Sequence, residues 1–155
     1  MKQPRRPSWM AVDEQMVRFM RAYGIRFIRL SLAVVFIWFG LLKVVGKSPV
    51  ADLVARTVYW VRPELFVPFL GIWEIVIGLG LLLRRALRLT LLLFWLQLAG
   101  TFLVIVLRPD IAFQGGNPLL LTTEGEFVIK NLVLIASGLV VGSTVRTVPG
   151  TKGTR

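Results

Sequence analysis

Four long apolar blocks dominate the sequence and constrain its fold more than any other feature. They cover about residues 25–45, 66–83, 87–107 and 127–145, with polar or charged links between them. Each block is about 18–21 residues long, and a helix of that length crosses the roughly 30 Å hydrocarbon core of a bilayer. The blocks predict one domain, an all-α membrane protein built as an antiparallel four-transmembrane-helix bundle.

The composition excludes several kinds of chemistry. The chain has neither cysteine nor histidine, so disulfides, thiol redox chemistry and the commonest metal ligand are absent. No metal site and no cofactor are predicted. The net charge of +11 would suggest nucleic acid in a soluble protein, but no basic-aromatic module is visible, and the lipid bilayer is the expected partner instead.

Basic residues gather on one side of the four blocks. They precede the first block, fill the short link between the second and third, and follow the fourth, whereas the links on the other side carry mixed charges. Positive-inside bias therefore places both termini in the cytoplasm. No small-residue cleavage site follows the first block, which is expected to be an uncleaved span. The residues that set this orientation are Lys2, Arg5, Arg6, Arg18, Arg21, Arg26, Arg29, Arg84, Arg85, Arg88, Arg146, Lys152 and Arg155.

Two segments outside the blocks have amphipathic helical patterns. Residues 1–24 are expected to be a cytoplasmic tail with an apolar stripe, which predicts a short helix lying on the membrane interface. A second short helix that starts near Ser48-Pro49 is expected on the outer surface. Residues 113–125 are expected to form an outer loop, and 146–155 a second cytoplasmic tail. The apolar stripe predicted within residues 1–24 consists of Trp9, Val12, Met16, Phe19, Met20 and Tyr23.

Ionisable residues within the blocks need an explanation, because each costs roughly 2.5–3.5 kcal/mol at the centre of a span. Lys43 lies near the outer end of the first span, Glu74 lies inside the second, and Glu126 and Lys130 open the fourth. All four fall in the outer half of the membrane, and their charges balance. We therefore expect the Lys43 ammonium within salt-bridge or one-water distance of Glu74 or Glu126.

Glycines mark the same faces as helix-packing surfaces. Gly71, Glu74 and Gly78 share one face of the second span, and Gly40 lies three residues before Lys43. The charges can be interpreted as a polar lock that fixes helix pairing, as an outer-facing pocket that holds a ligand headgroup or relays protons, or as a partner-protein interface. Further candidates for this polar cluster or ligand site are Asn131, Gln97, Trp38 and Trp73.

Three short motifs occur in order: WFGLLK at Trp38–Lys43, EIVIGL at Glu74–Leu79 and GEFVIK at Gly125–Lys130. Over residues 25–142 the chain thereby resembles the DoxX-like integral membrane proteins, nearest to the branch linked to bacterial reactive-chlorine resistance. The resemblance implies a four-helix bundle in the bacterial cytoplasmic (inner) membrane and work connected with oxidative stress or quinone. Asn131 stands where that branch would have an aspartate, so its charge pattern does not carry over unchanged.

Three functions stay open on the sequence. The first is an inner-membrane subunit or oxidative-stress-protection protein without catalysis of its own, working with a partner oxidoreductase or as a homo-oligomer. The second is a quinone-linked oxidoreductase subunit of the thiosulfate:quinone type. Lys43, Glu74, Lys130 and nearby Trp residues would form the headgroup site, and a partner or a soluble donor would supply electrons. The third is a small transporter, although no internal repeat is visible.

Overall fold

The computed structural model describes residues 8–58 and 60–145, and the predicted tails at 1–7 and 146–155 lie outside the described residues. Apart from an isolated β-bridge, the regular elements in the described part are all helical. They are α1 (Ser8–Val44), α2 (Ala51–Thr57), α3 (Pro63–Leu83), α4 (Leu87–Leu107), α5 (Pro109–Ala112), a 3-10 turn (Gln114–Gly116), α6 (Thr123–Ile129) and α7 (Asn131–Gly142).

Four helical stretches are long and apolar enough to cross a membrane. They are Val12–Val44, Pro63–Leu83, Leu87–Leu107 and Thr123–Gly142, the last of which joins α6 and α7. Their outer faces carry many exposed large apolar side chains, as expected where lipid takes the place of water. The prediction of an all-α protein with four membrane-spanning helices is confirmed at this level.

Contacts between the long helices define an up-and-down bundle. Helices α1 and α3 are antiparallel, because residues later in α1 contact residues earlier in α3. The α3–α4 and α4–α7 pairs are antiparallel in the same way. Helix α1 also packs against α7, which closes the bundle. The residues that meet are Gly40 with Gly71, Ile37 with Gly78, Gly80 with Thr90, Glu74 with Gln97, Phe94 with Gly138, and Leu91 with Gly142.

The apolar core is centred on Phe94, which is fully buried. Its ring lies 5.4 Å from the ring of Phe36 on α1, and it occupies the space that a side chain at Gly138 on α7 would need. One aromatic residue therefore joins three helices. The other buried members of this cluster are Leu32, Ala33, Ile77, Leu81, Leu91, Leu98 and Val141.

Helix α1 differs from the sequence prediction. A separate interfacial helix in residues 1–24 and a span from residue 25 were expected, but one helix of 37 residues runs through both. The boundary was placed at Gly24, yet a lone glycine inside a helix costs only about 1 kcal/mol relative to alanine. The neighbouring Arg, Met, Ala and Gln residues are good helix formers, and no proline interrupts them.

The fourth span consists of α6 and α7, joined through Lys130, which keeps helical dihedral angles (φ −56°, ψ −22°). Helix α6 ends at Ile129 and α7 begins at Asn131. The Asn131 side-chain amide donates hydrogen bonds to the carbonyl oxygens of Phe127, at 2.9 Å, and Val128, at 3.1 Å. The Lys130 N–H also donates to the Glu126 carbonyl at 2.9 Å, so the helical ladder continues between α6 and α7.

The end of α1 is closed by a glycine cap. Gly46 has φ +68°, its N–H donates to the carbonyl of Lys43 at 3.2 Å, and the N–H of Lys47 donates to the carbonyl of Leu42 at 2.8 Å. These are the two hydrogen bonds of a Schellman motif, which favours glycine at the left-handed position. The cap turns the chain away immediately after Lys43 and so fixes the end of α1 beside that residue.

We expect Gly46→Ala to lower the free energy of unfolding by about 1–2 kcal/mol, because a Cβ is strained at positive φ. Denaturant titration of the detergent-solubilised protein measures this change. Gly24→Ala is the matched control, since a Cβ there meets nothing within 4 Å and the residue is helical; it should be neutral or stabilise by up to about 1 kcal/mol. Equal effects of the two variants would contradict the capping role.

Candidate functional site

Three polar side chains from three helices meet inside the bundle. The Lys43 Nζ on α1 lies 2.7 Å from Glu74 Oε2 on α3, and the Gln97 Nε2 on α4 donates to Glu74 Oε1 at 2.9 Å. Lys43 is 5% exposed and Glu74 is 8% exposed. We call Lys43, Glu74 and Gln97 the buried network. The ion pair has the geometry expected from the sequence, with Glu74 as the partner of Lys43.

Close contact between the backbones of α1 and α3 brings Lys43 and Glu74 together. A Cβ added at Gly71 would lie 2.6 Å from the carbonyl oxygen of Gly40 and 2.9 Å from the Lys43 Cβ. A Cβ at Gly40 would lie 2.5 Å from the carbonyl oxygen of Gly71. Only glycine allows this separation, so α1 and α3 touch beside Glu74. Gly78 repeats the pattern two turns along α3, against the Ala33 carbonyl.

A second polar link joins α3 to α4 close to the buried network. The indole Nε1 of Trp73 donates to the carbonyl oxygen of Leu93 at 3.2 Å. Gln97 lies one helical turn after Leu93, so the hydrogen bonds of Trp73 and Glu74 hold consecutive turns of α4. Trp73 therefore supports the network without belonging to it.

The structure separates the remaining candidates from the buried network. Lys130 and Glu126 pair with each other across one helical turn at 3.2 Å, and their side chains are 68% and 56% exposed. Trp38 is 64% exposed, on a different side of α1 from Lys43. Asn131 binds the carbonyls of its own helix. Of the four predicted charges, only two lie together in the bundle interior.

One contact that the sequence did not predict joins the segment after α4 to α2, in the link between α1 and α3. The Arg108 Nη1 donates to the carbonyl of Arg56, at the end of α2, at 2.9 Å, and its Nε and Nη2 donate to the Asp110 carboxylate at 3.0 and 2.7 Å. The hydrogen bond from Arg108 holds the pKa of Asp110 below its ordinary value. The Arg-Pro-Asp triplet at a helix end was the available signal, because proline starts a new turn and leaves both charges adjacent.

The hydrogen bonds within the buried network limit what Glu74 can bind. Both carboxylate oxygens of Glu74 accept hydrogen bonds from the chain itself. Within the described residues, every buried side-chain nitrogen or oxygen has a hydrogen-bond partner, and no group of His, Cys, Asp and Glu could hold a metal ion. Two open cavities of the described structure lie elsewhere, along the first half of α1 and at the α3–α4 turn. The opposite charges of Lys43 and Glu74 therefore compensate each other in the bundle interior, with Gln97 half-buried beside them.

Comparisons of the chain with protein-family models, with curated proteins and with solved structures find no match. Inference about function therefore rests on the contacts and charges of the chain itself.

Proposed function

We propose that this chain is a non-catalytic subunit of the bacterial cytoplasmic membrane, a DoxX-like four-helix frame that serves an oxidative-stress-protection complex. The observation that carries the non-catalytic part is the buried Lys43–Glu74–Gln97 network. Each oxygen of Glu74 accepts a hydrogen bond from the chain itself, and the residue is only 8% exposed, so little of the carboxylate faces a ligand.

The energetics favour a structural use of the ion pair. Each charge alone would cost roughly 2.5–3.5 kcal/mol at the centre of a span. Paired at 2.7 Å, the two charges are compensated only when α1 and α3 are in one register, because a shift by one residue rotates either side chain away by about 100°. Gln97 adds α4 to the same arrangement. The network therefore selects one packing of three helices.

The length of α1 supports a role as a subunit. Its 37 residues extend over about 55 Å, whereas the hydrocarbon core is about 30 Å thick. The proposal assigns the arginine-rich end of the bundle and both termini to the cytoplasm. The part of α1 that exceeds the thickness of the hydrocarbon core then extends on the cytoplasmic side, through the lipid headgroups and beyond them. Its apolar stripe is exposed, with Trp9 at 65% and Met16 at 59%. An exposed apolar stripe of this length marks a surface that lipid headgroups and a partner chain cover.

Quinone retention tests this proposal against the quinone-linked alternative. The protein is purified in mild detergent, and bound quinone is extracted and quantified for the wild type, Glu74→Gln and Lys43→Met. We expect no stoichiometric quinone in any sample and a lower melting temperature for both variants. Quinone bound by the wild type, and lost from a variant that keeps its melting temperature, would overturn the non-catalytic proposal. Lys47→Met, which removes an exposed charge outside the proposed headgroup site, is the control for nonspecific effects.

A further inference from the structure

The link between α5 and α6 contains a short ordered loop, residues 113–122, which is closed at its base by an antiparallel bridge. The Gln114 N–H donates to the Leu120 carbonyl at 2.8 Å. The N–H groups of Asn117 and Leu120 donate to the carbonyls of Gln114 and Asn117, each at 3.0 Å. These hydrogen bonds fix the backbone of the loop, so the direction of the side chains at its tip is fixed as well.

Two leucines form the tip of this loop. Leu119 is 88% exposed, more than any other large apolar side chain in the described residues, and Leu120 beside it is 52% exposed. The sequence from Ile111 to Thr123 contains no charged residue, so no charge accompanies the leucines at the tip. Adjacent apolar side chains that a fixed, uncharged backbone holds outward indicate a surface that another apolar phase covers.

The polar side chains of the loop bond to the chain's own backbone. The Gln114 amide donates to the Leu121 carbonyl at 2.7 Å, and the Asn117 side-chain oxygen accepts from the Leu119 N–H at 3.0 Å. The Thr122 hydroxyl donates to a carbonyl at the end of α5. Hydrocarbon offers no hydrogen bonds, so a segment that enters it must satisfy its polar groups internally. A protein partner would instead be met by a polar rim around the apolar contact, and this loop favours lipid.

The base of the loop lies beside the start of a membrane-spanning stretch. The Thr122 hydroxyl accepts from the Gly125 N–H at 3.0 Å in the first turn of α6, and a Cβ at Gly125 would lie 3.2 Å from the Leu121 side chain. The spanning stretch begins at Thr123. Leu119 is two residues before Leu121, a separation of at most about 7 Å. Since the headgroup region on each side of the hydrocarbon core is about 5–8 Å thick, the leucines are within reach of the acyl chains.

We propose that the 113–122 loop inserts Leu119 and Leu120 into the lipid leaflet at its end of the bundle, the end opposite the α3–α4 turn. The two side chains lie at the boundary between the headgroups and the acyl chains, and they anchor the link between α5 and α6 to the membrane surface. The inference uses only the loop and the membrane-spanning helices, so it does not depend on whether the protein is catalytic.

Thiol reactivity in lipid nanodiscs that hold one copy of the chain tests the proposal. The chain has no cysteine, so Leu119→Cys carries a single thiol, whose rate of alkylation by a charged maleimide is divided by its rate in denaturing detergent. We expect this ratio to be about tenfold or more below that of Lys47→Cys, an exposed position in a polar link, because a thiol among apolar groups forms less thiolate. Val133→Cys, at a position 69% exposed on α7, gives the reference ratio for a lipid-facing thiol.

Equal ratios for Leu119→Cys and Lys47→Cys in single-copy nanodiscs would overturn the proposal. Protection of Leu119→Cys that appears only in nanodiscs with two copies would also overturn it, because it would assign the tip to a contact between copies of the chain. A melting curve of each variant is recorded first. If Leu119→Cys is unfolded, Leu120→Cys is compared with Lys47→Cys by the same criterion.

Discussion

Lys43→Met and Glu74→Gln should each lower the free energy of unfolding by about 3–5 kcal/mol, because each leaves the opposite buried charge without its partner. The pair lies at 2.7 Å, with both side chains at most 10% exposed, so water cannot replace the lost partner. The double variant Lys43→Met/Glu74→Gln should lie within about 1 kcal/mol of the wild type, because a neutral replacement of both partners removes the unpaired charge.

A double-mutant cycle measures this coupling. Unfolding by denaturant in detergent gives the four free energies, and we expect a coupling energy above about 3 kcal/mol. The matched cycle uses Glu126→Gln and Lys130→Met, whose side chains pair at 3.2 Å but are more than half exposed, and its coupling should be about 0.5 kcal/mol or less. Additive effects at Lys43 and Glu74 would mean that the pair does not fix the bundle.

The second large effect concerns the glycine contact between α1 and α3. We expect Gly71→Ala to lower the free energy of unfolding by about 1–3 kcal/mol, and Gly71→Leu by more, as in other overpacked interfaces. The added Cβ would lie 2.6 Å from the Gly40 carbonyl oxygen, and a backbone atom cannot move aside without separating the helices. Moving the helices apart also lengthens the Lys43–Glu74 distance, so the loss of close packing and the loss of the ion pair occur at the same interface.

Gly100→Ala is the control for this change. Gly100 is also within a long helix, but a Cβ there meets nothing within 4 Å. Its replacement should leave stability unchanged or raise it by up to about 1 kcal/mol. The same unfolding titration compares the two variants. A loss at Gly100 equal to that at Gly71 would show that glycine flexibility, and not close packing, explains the effect.

The spans could be predicted because apolar length is a strong and local signal. The ends at Leu83, Leu87 and Leu107 also match the prediction, whereas the starts of the first and fourth spans do not, because each depends on a local interaction. At Gly24, helix propensity on both sides outweighs the glycine, and α1 continues through it. At the fourth span, the Thr122 hydroxyl accepts a hydrogen bond from the Gly125 N–H and caps a helix that begins at Thr123, before the predicted start at residue 127. Hydropathy alone carries no information about either outcome.

The ion pair could be predicted from charge balance and helix faces. Gly71 and Glu74 share a face, and Gly40 lies on nearly the same face as Lys43, so the closest helix contact also places the charges together. Trp38 was included because it lies within the first span, but five residues before Lys43 on a helix correspond to about 140° of rotation, and the side chain is exposed. Glu126 and Lys130 are one turn apart and satisfy each other, which removes the need for a partner in the bundle interior.

Exchanging the two charges is the most direct test of the claim that the buried network is structural. Lys43→Glu and Glu74→Lys are made singly and together, and the melting temperature of each purified protein is measured. We predict that each single exchange, which buries two like charges, is strongly destabilised, and that the double exchange recovers more than half of the loss, with Gln97 turning its amide oxygen towards the new lysine. A double exchange no more stable than the worse single variant would contradict the account.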